Sequence, residues 1–349
     1  MSKLYDFIRQ FYAPSEFPAL AKQIERWKLT RPLAGRRIYD ATPVFRNTLV
    51  KYYALQCAGA EVTAAVGANL PCDPEICRML KNFNIRLADA SANAEKYDVV
   101  ADCAGTSRSV TGVYGYVELT RSGLDYYADW SRPVFSADSG VLKKLETVLG
   151  TGEGFLRAMR QLGYDDFNGR NVVIFGGGKV GRGVAHYAQR AGARVTVVDL
   201  QEVTLPENIS FINACDHAAV LQKIVEAWCV VSVTGRAGAL ASWSRALNDS
   251  PAIIANMGVE DEFGSSLPES RVLNRKQPLN FILEEPTMLK YIDATMSLNN
   301  YGIVKLLSGT LAPGINFPDA ALERSIVADI RENGAIASEM EFITSELFE

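Results

Sequence analysis

Between Asn171 and Leu200 the chain reads NVVIFGGGKVGRGVAHYAQRAGARVTVVDL, and few folds accept that order of residues. Val172 to Phe175 is a short apolar run, β-branched and aromatic, as a strand covered on both faces requires. Gly176, Gly178 and Gly181 follow in the spacing G-x-G-x-x-G. The first glycine permits a sharp turn, the second lets a pyrophosphate approach the backbone, and the third lets helix and strand pack closely. A helix starting near Lys179 points its free N–H groups at that phosphate. Gly183, Ala185 and Ala188 keep one helix face small, and Gly192 closes the helix. Ala193 to Val198 is a second strand. It ends in Asp199, where an acid accepts hydrogen bonds from a ribose diol. Strand, turn, helix, strand and terminal acid in this order predict a dinucleotide site in a Rossmann-type domain. Asp199 favours NAD over NADP, because a carboxylate repels a 2′-phosphate; Arg194 and Lys179 are cations nearby that soften the preference.

The 349 residues exceed what one compact core holds, so two domains are expected, and an apolar share of 48% is enough to fill both. A net charge of −4 without blocks of like charge argues against nucleic acid or an anionic membrane as partner. The N-terminal MSKLYDFIRQFYAPSEF is interrupted by charges and does not read as a signal peptide, and no uncharged apolar run reaches membrane-spanning length. Six cysteines are scattered. Cys57, Cys103 and Cys229 read as core thiols. Cys72 and Cys77 have no second pair or histidines beside them, so no metal is expected. Such usage fits a reducing, cytoplasmic setting. The two histidines, His186 inside the dinucleotide helix and His217 after a strand, read as structural or surface residues. A histidine base, the commonest solution to acid–base chemistry, is therefore missing.

Before this stretch, residues 4–28 read as an amphipathic helical segment broken at Pro14 and Pro18. Strands are predicted at Arg37–Ala41, Glu61–Val66, Ile85–Ala88 and Tyr97–Cys103, with helices Thr48–Ala58 and Pro74–Phe83 between them. That alternation predicts an α/β domain with a mostly parallel sheet. Residues 105–140, rich in Gly, Ser and Tyr, read as short strands and loops that line a cleft or form an aromatic packing layer. Gly140 to Leu162 reads as a long helix loosened by glycines. After Asp199, strands near 210–213, 228–233 and 251–255 carry the turns Thr234-Gly235 and Asn256-Met257-Gly258 at their carboxyl ends, where open α/β sheets bind ligands. Leu279–Leu283 is predicted as a last strand. A helix is expected after Asn299-Asn300, which would cap it, then a turn at 312–318 and a helix at Ala320–Glu332.

Four stretches resemble one family: Thr48–Val62 (TLVKYYALQCAGAEV), Asp102–Gly105, Gly169–Asp199 and Ala255–Gly258. Pro133–Lys143 (PVFSADSGVLK) is similar to the same family's approach to its crossing helix. From about Asp40 to about Leu307 the chain resembles S-adenosylhomocysteine hydrolase. The resemblance implies an N-terminal α/β substrate domain (1–145), a Rossmann-type NAD-binding domain inserted after it (146–290), and a C-terminal helical segment (291–349) returning to the first domain or to a partner subunit. It implies NAD as cofactor, a small-molecule substrate and a homo-oligomer, a dimer or tetramer. The cofactor positions are then Gly176, Gly178, Lys179, Val180, Gly181, Asp199, Leu200, Thr234, Gly235, Asn256, Met257, Gly258 and Asn299. The catalytic candidates are Lys143, Asp102 and Glu118, the last aligned with Leu119 on the family's paired glutamates.

In that family NAD oxidises a ribose hydroxyl to a ketone, a thioether is eliminated, water adds, and the ketone is reduced back. This chain departs from the pattern. Pro43 and Val259 stand where the family has histidines, Thr147 and Val148 where it has a carboxylate and an amide, and the tail Ser345–Glu349 lacks the lysine and tyrosine that seal a neighbour's NAD. Such changes remove acid–base groups for elimination and hydration and leave the hydride site. The expectation is an NAD-dependent oxidoreductase acting on a small hydroxylated or carbonyl compound. Two alternatives stand beside it: an NAD-assisted thioether hydrolase or lyase, and a non-catalytic NAD-binding regulatory protein. The candidates also have plainer readings. Asp102 could cap a turn, Glu118 could be a solvated or paired strand residue, Asp138-Ser139 could cap a helix, and Lys143-Lys144 could be a solvated pair.

Overall fold

The computed structural model describes residues 2–67, 70–90, 95–138 and 140–343. The chain forms two compact units. One comprises Met1–Lys143 and Leu289–Met340, the other Lys144–Met288 and Glu341 onward. Among the described residues the strands are β1 (Arg37–Asp40), β2 (Glu61–Val66), β3 (Arg86–Asp89), β4 (Lys96–Asp102), β5 (Thr111–Glu118), β6 (Pro133–Ser136), β7 (Asn171–Phe175), β8 (Arg194–Asp199), β9 (Ile209–Asn213), β10 (Cys229–Ser232), β11 (Ile253–Asn256) and β12 (Gly314–Asn316).

The first unit is built on one seven-stranded sheet in the order β12-β6-β5-β4-β1-β2-β3. Every pairing in it is parallel. Residues 105–140 contain more strand than their composition suggests, because β5 and β6 both join the sheet. Tyr116 and Tyr127 pack edge-on to Trp130, each with ring centroids 4.7 Å from it, so part of this stretch is an aromatic packing layer. β12 lies inside the predicted 312–318 turn. The N-terminal segment is three pieces, helix Lys3–Ile8, a 3-10 turn at Pro14–Glu16 and helix Pro18–Thr30.

The helix Leu289–Leu307 corrects the sequence reading. Asn299 and Asn300 lie in its middle, both buried, and cap nothing. One turn from its start, the buried Asp293 accepts N–H bonds from Ala19 (2.9 Å) and Leu20 (3.0 Å). These are free donors at the start of helix Pro18–Thr30, whose own N-cap supplies no side-chain bond. Asp293 therefore caps a helix more than 270 residues earlier in sequence.

The second unit holds a five-stranded parallel sheet, β11-β10-β7-β8-β9. The chain winds from central β7 outward to β8 and β9, then crosses to β10 and β11 on the other side. The strand order thus reverses between β7 and β10, and the crevice at such a switch point is where open α/β sheets bind ligands. The predicted helix Gly140–Leu162 is helical in three parts: α over Gly140–Lys144, π over Leu145–Gly150, α over Thr151–Gln161. A Cβ on Gly152 would lie 2.5 Å from the backbone of Gly183, so glycines let this helix meet helix Lys179–Arg190 backbone to backbone. Leu279–Leu283 is not a strand. Asn274, Arg275 and Lys276 all take positive φ, Pro278 follows, and the apolar run forms a 3-10 turn that buries Leu279 and Leu283 without entering the sheet. No helix among the described residues is long and apolar enough to cross a membrane.

Candidate functional site

Chemistry-bearing residues gather at the carboxyl ends of both sheets. In the second unit β7 runs into Gly176, held at φ +111°, where a Cβ would sit 2.5 Å from the Val233 carbonyl oxygen. A Cβ on Gly181 would sit 1.9 Å from the Gly176 carbonyl oxygen, so helix and turn touch there. Gly178 differs: it is exposed, and nothing lies within 4 Å of where its Cβ would be. One glycine makes the turn, one leaves a cradle open and one allows close packing, which is the division of labour a pyrophosphate needs. Gly178 is also the N-cap of helix Lys179–Arg190 and offers no side-chain bond, so the first N–H groups stay free for an anion. Lys179 is exposed, whereas Val180 packs on the core and has only its backbone to offer. Leu200 is exposed beyond the strand end. Asp199 accepts the Gly177 N–H at 2.6 Å and the Gln201 N–H at 3.3 Å. It thus shapes the glycine turn, and a carboxylate with about four lone-pair sites still has capacity for a ribose hydroxyl.

At the end of β10, Thr234 donates its N–H (2.7 Å) and hydroxyl (2.8 Å), and Gly235 its N–H (2.7 Å), to the carboxylate of Glu262. The Ser232 hydroxyl donates to the same group. Glu262 is fully buried and was not singled out from sequence, where E-D-E after a turn looks like a solvated acidic run. It fixes the turn on which Thr234 and Gly235 sit. Asn256 and Met257 need correcting as ligand-facing side chains. The Asn256 amide donates to the carbonyls of Gly258, Glu260 and Lys276 and accepts the Gly258 N–H, so its side chain is spent on clamping the loop. Met257 is buried in the apolar core. Asn299 lies in the first unit, in the middle of its helix.

In the first unit, Asp102 ends β4 and Glu118 ends β5, directly opposite each other in register. Asp102 accepts N–H bonds from Cys103 and Ser107, both 2.8 Å, and hydroxyl bonds from Thr106 and Tyr127. It does cap a turn, as its plainer reading has it, while standing at a strand end. Burial raises its pKa against those hydrogen bonds. Glu118 is fully buried, which corrects the solvated reading. It accepts from the N–H groups of Ala104, Gly105 and Thr120 and from the Thr120 hydroxyl. Burial and the facing Asp102 carboxylate push it up to about 7, against four donors that favour its charged form. Lys143 is buried, not solvated; its ammonium donates to the Leu119 carbonyl at 3.2 Å and pairs with Asp138 at 3.6 Å. Ser139, the other half of the predicted cap, lies outside the described residues. Lys143, Asp102 and Glu118 are thus gathered at one end of one sheet. Beside them, at the end of β1, a wholly buried ion pair joins Asp40 to Lys51; neither was singled out from sequence.

This arrangement predicts a pH effect. Glu118 rises from an ordinary value of about 4.3 unfolded to about 7 folded. Asp293 is raised to about 7 by burial. A carboxyl that holds its proton more tightly when folded contributes stability below the unfolded value and loses it as pH rises through the folded one. Stability should therefore fall between about pH 4 and pH 7, and Glu118→Gln should flatten that slope. Denaturant midpoints across this range check it; an unchanged slope in the variant would refute the assignment.

The sequence profile of the NAD(P)-binding family NAD_binding_7 matches residues 164–259. The adenosylhomocysteinase of Thermoplasma acidophilum is 22% identical over 319 residues, 81% of this chain and 75% of that protein. The adenosylhomocysteinase of Sulfurisphaera tokodaii is 26% identical over 234 residues, 57% of this chain and 54% of that protein. The chain is a divergent relative of the adenosylhomocysteinases. It spans between about half and three quarters of the length of these relatives. Among solved structures, the transhydrogenase from Sinorhizobium meliloti covers 80% of this chain and 96% of its own at TM-score 0.46 and 13% identity.

In this relative of the adenosylhomocysteinases the second unit is an NAD(P)-binding domain, and NAD is the cofactor that its strand-end acid fits. Asp199→Ala should lose the preference for NAD over NADP, because the carboxylate that repels a 2′-phosphate is gone. Calorimetric titration with both dinucleotides checks this. Wild-type protein that bound NADP as tightly as NAD would refute the role of Asp199.

Proposed function

We propose that the chain is an NAD-dependent oxidoreductase acting on a small hydroxylated or carbonyl compound, on an adenosylhomocysteinase-like scaffold. When bound, NAD supplies the hydride acceptor or donor. The observation that carries the reading is the buried Lys143, joined to Asp138 and to the carbonyl next to Glu118 at the carboxyl end of the first sheet. A carbinol cannot release hydride without losing its hydroxyl proton, and a carbonyl cannot accept hydride without gaining one. Lys143 moves that proton, while Asp102 and Glu118 position the substrate's hydroxyl groups through the backbone they organise. The glycine turn, the start of helix Lys179–Arg190 and Asp199 hold the dinucleotide, and Thr234, Gly235 and Gly258 face it with their backbone. The domain limits 1–145, 146–290 and 291–349, a cytoplasmic setting and a homodimeric assembly belong to the same reading.

The alternative of an NAD-assisted thioether hydrolase or lyase rests on the identity with adenosylhomocysteinases along most of the chain. Against it stand Pro43 and Val259, neither of which can exchange a proton; Val259 is 86% exposed at the turn after β11. Each acid–base group contributes about a hundredfold to ten-thousandfold. S-adenosylhomocysteine should therefore release thiol barely above background, while a panel of hydroxylated compounds with NAD yields one that gives NADH absorbance. Rapid thiol release would establish the hydrolase instead. Tight NAD binding without NADH from any compound would establish the regulatory protein.

A further inference from the structure

Cys72 and Cys77 flank the first turn of the short helix Pro74–Met79. Asp73 is its N-cap, accepting the N–H groups of Glu75 (2.8 Å) and Ile76 (3.3 Å). Cys72 is thus the residue before the cap and Cys77 the fourth helical residue. Those two positions turn their side chains toward each other at a helix start, where two apolar groups usually meet as a staple. Here the pair is two half-buried thiols, near enough that Cys72 raises the pKa of Cys77. The chain entering this turn is tied to the end of β1. Cys72 forms an isolated parallel bridge with Val44, and the Asp73 N–H donates to the Val44 carbonyl at 2.8 Å. Val44 lies two residues past Thr42, whose N–H is held by Asp40 at 2.9 Å.

We propose that Cys72 and Cys77 are a reversible dithiol–disulfide pair whose oxidation tightens the segment following β1, at the carboxyl end of the first sheet. The oxidant is a small disulfide, RSSR. Deprotonated Cys72 attacks one sulfur of RSSR, forming a mixed disulfide and releasing RS⁻. Cys77 then loses its proton and attacks the Cys72 sulfur, releasing the second RS⁻. Two thiols become one disulfide, RSSR becomes two RSH, and no other reactant is needed. Burial and the adjoining Cys72 push the Cys77 thiol up to about 12, which suits Cys77 to the resolving role.

The test uses the full chain with oxidised glutathione, followed by peptide mapping. Cys215 is exposed and serves as the internal control for modification. The expected result is a 72–77 linkage two hydrogens lighter than the dithiol, formed while Cys215 carries glutathione, and reversed by dithiothreitol. In Cys77→Ser, Cys72 should instead keep its glutathione. Amide hydrogen exchange over residues 42–48 should slow in the oxidised protein and recover on reduction. Two free thiols, or two separate glutathione adducts, beside a fully modified Cys215 would overturn the pairing. A linkage that leaves exchange over 42–48 unchanged would overturn its effect on the segment.

Discussion

Lys143→Met is expected to abolish turnover of the protein's substrate while leaving dinucleotide affinity within error, and Lys144→Met to change neither. The two lysines are neighbours in sequence and differ in surroundings. Lys143 is buried with an ion pair and a carbonyl contact, whereas Lys144 is half-buried. Methionine keeps the length and apolar stem of lysine and removes only the group that moves a proton. If that proton transfer is what the enzyme supplies, the loss should be about a hundredfold to ten-thousandfold in kcat. Removing the ammonium also leaves Asp138 without its partner, so the variant should be checked for folding by its denaturant midpoint. Near-full activity in a folded Lys143→Met would move the role to Asp102 or to a tyrosine of the 114–127 stretch.

Glu262→Ala should cost the second unit about 1–3 kcal/mol, the scale of leaving a buried hydrogen-bond donor without its acceptor. The substitution strands two hydroxyls and two N–H groups, those of Ser232, Thr234 and Gly235, that now share one carboxylate. Of these donors only Ser232 is fully buried, while Thr234 is half-buried and Gly235 exposed, so the freed N–H groups can turn to water and the cost stays near that of one stranded donor. Dinucleotide affinity should fall as well, because the turn at the end of β10 loses its anchor. Glu262→Gln keeps one acceptor oxygen and should lie between wild type and Glu262→Ala. A change for Glu262→Ala within about 0.5 kcal/mol, as for an ordinary surface site, would show that these donors find other acceptors.

The comparison of Asp199 with Glu262 shows what a linear reading reaches. Asp199 was legible because its meaning is local: strand, glycine turn, helix and second strand place it within thirty residues. The β7–helix–β8 unit and strands β1, β2 and β4 were legible for the same reason, since periodicity and turn residues are short-range signals. Glu262 takes its role from donors 27–30 residues earlier, and nothing beside it in sequence marks it as buried. β12 escaped because its three residues, Gly314 to Asn316 after a proline, carry no period; its identity comes from pairing with β6. Leu279–Leu283 failed the other way, as an apolar run whose preceding left-handed turn was invisible in composition. Asn299-Asn300 misled because asparagine pairs favour caps in general, whereas here they sit in a helix held by tertiary packing. Of the first unit's candidates, Asp102, Glu118 and Lys143 were named through resemblance, and their burial could only be seen in three dimensions.

The Asp293 contact and the β12–β6 pairing carry a consequence for synthesis. As the polypeptide leaves the ribosome, residues 1–143 emerge without the carboxylate that caps helix Pro18–Thr30 and without the strand that covers the edge of β6. Everything that completes the second unit's sheet, up to Asn256, is made in the interval. The stretch made first must therefore wait, with a strand edge unpaired, until residues 293–316 arrive. An exposed strand edge is a template for association with other chains, and domains as a rule fold in order of emergence. For the two sheets the order is inverted: the second unit's sheet can be complete first, and the first unit's sheet is completed last.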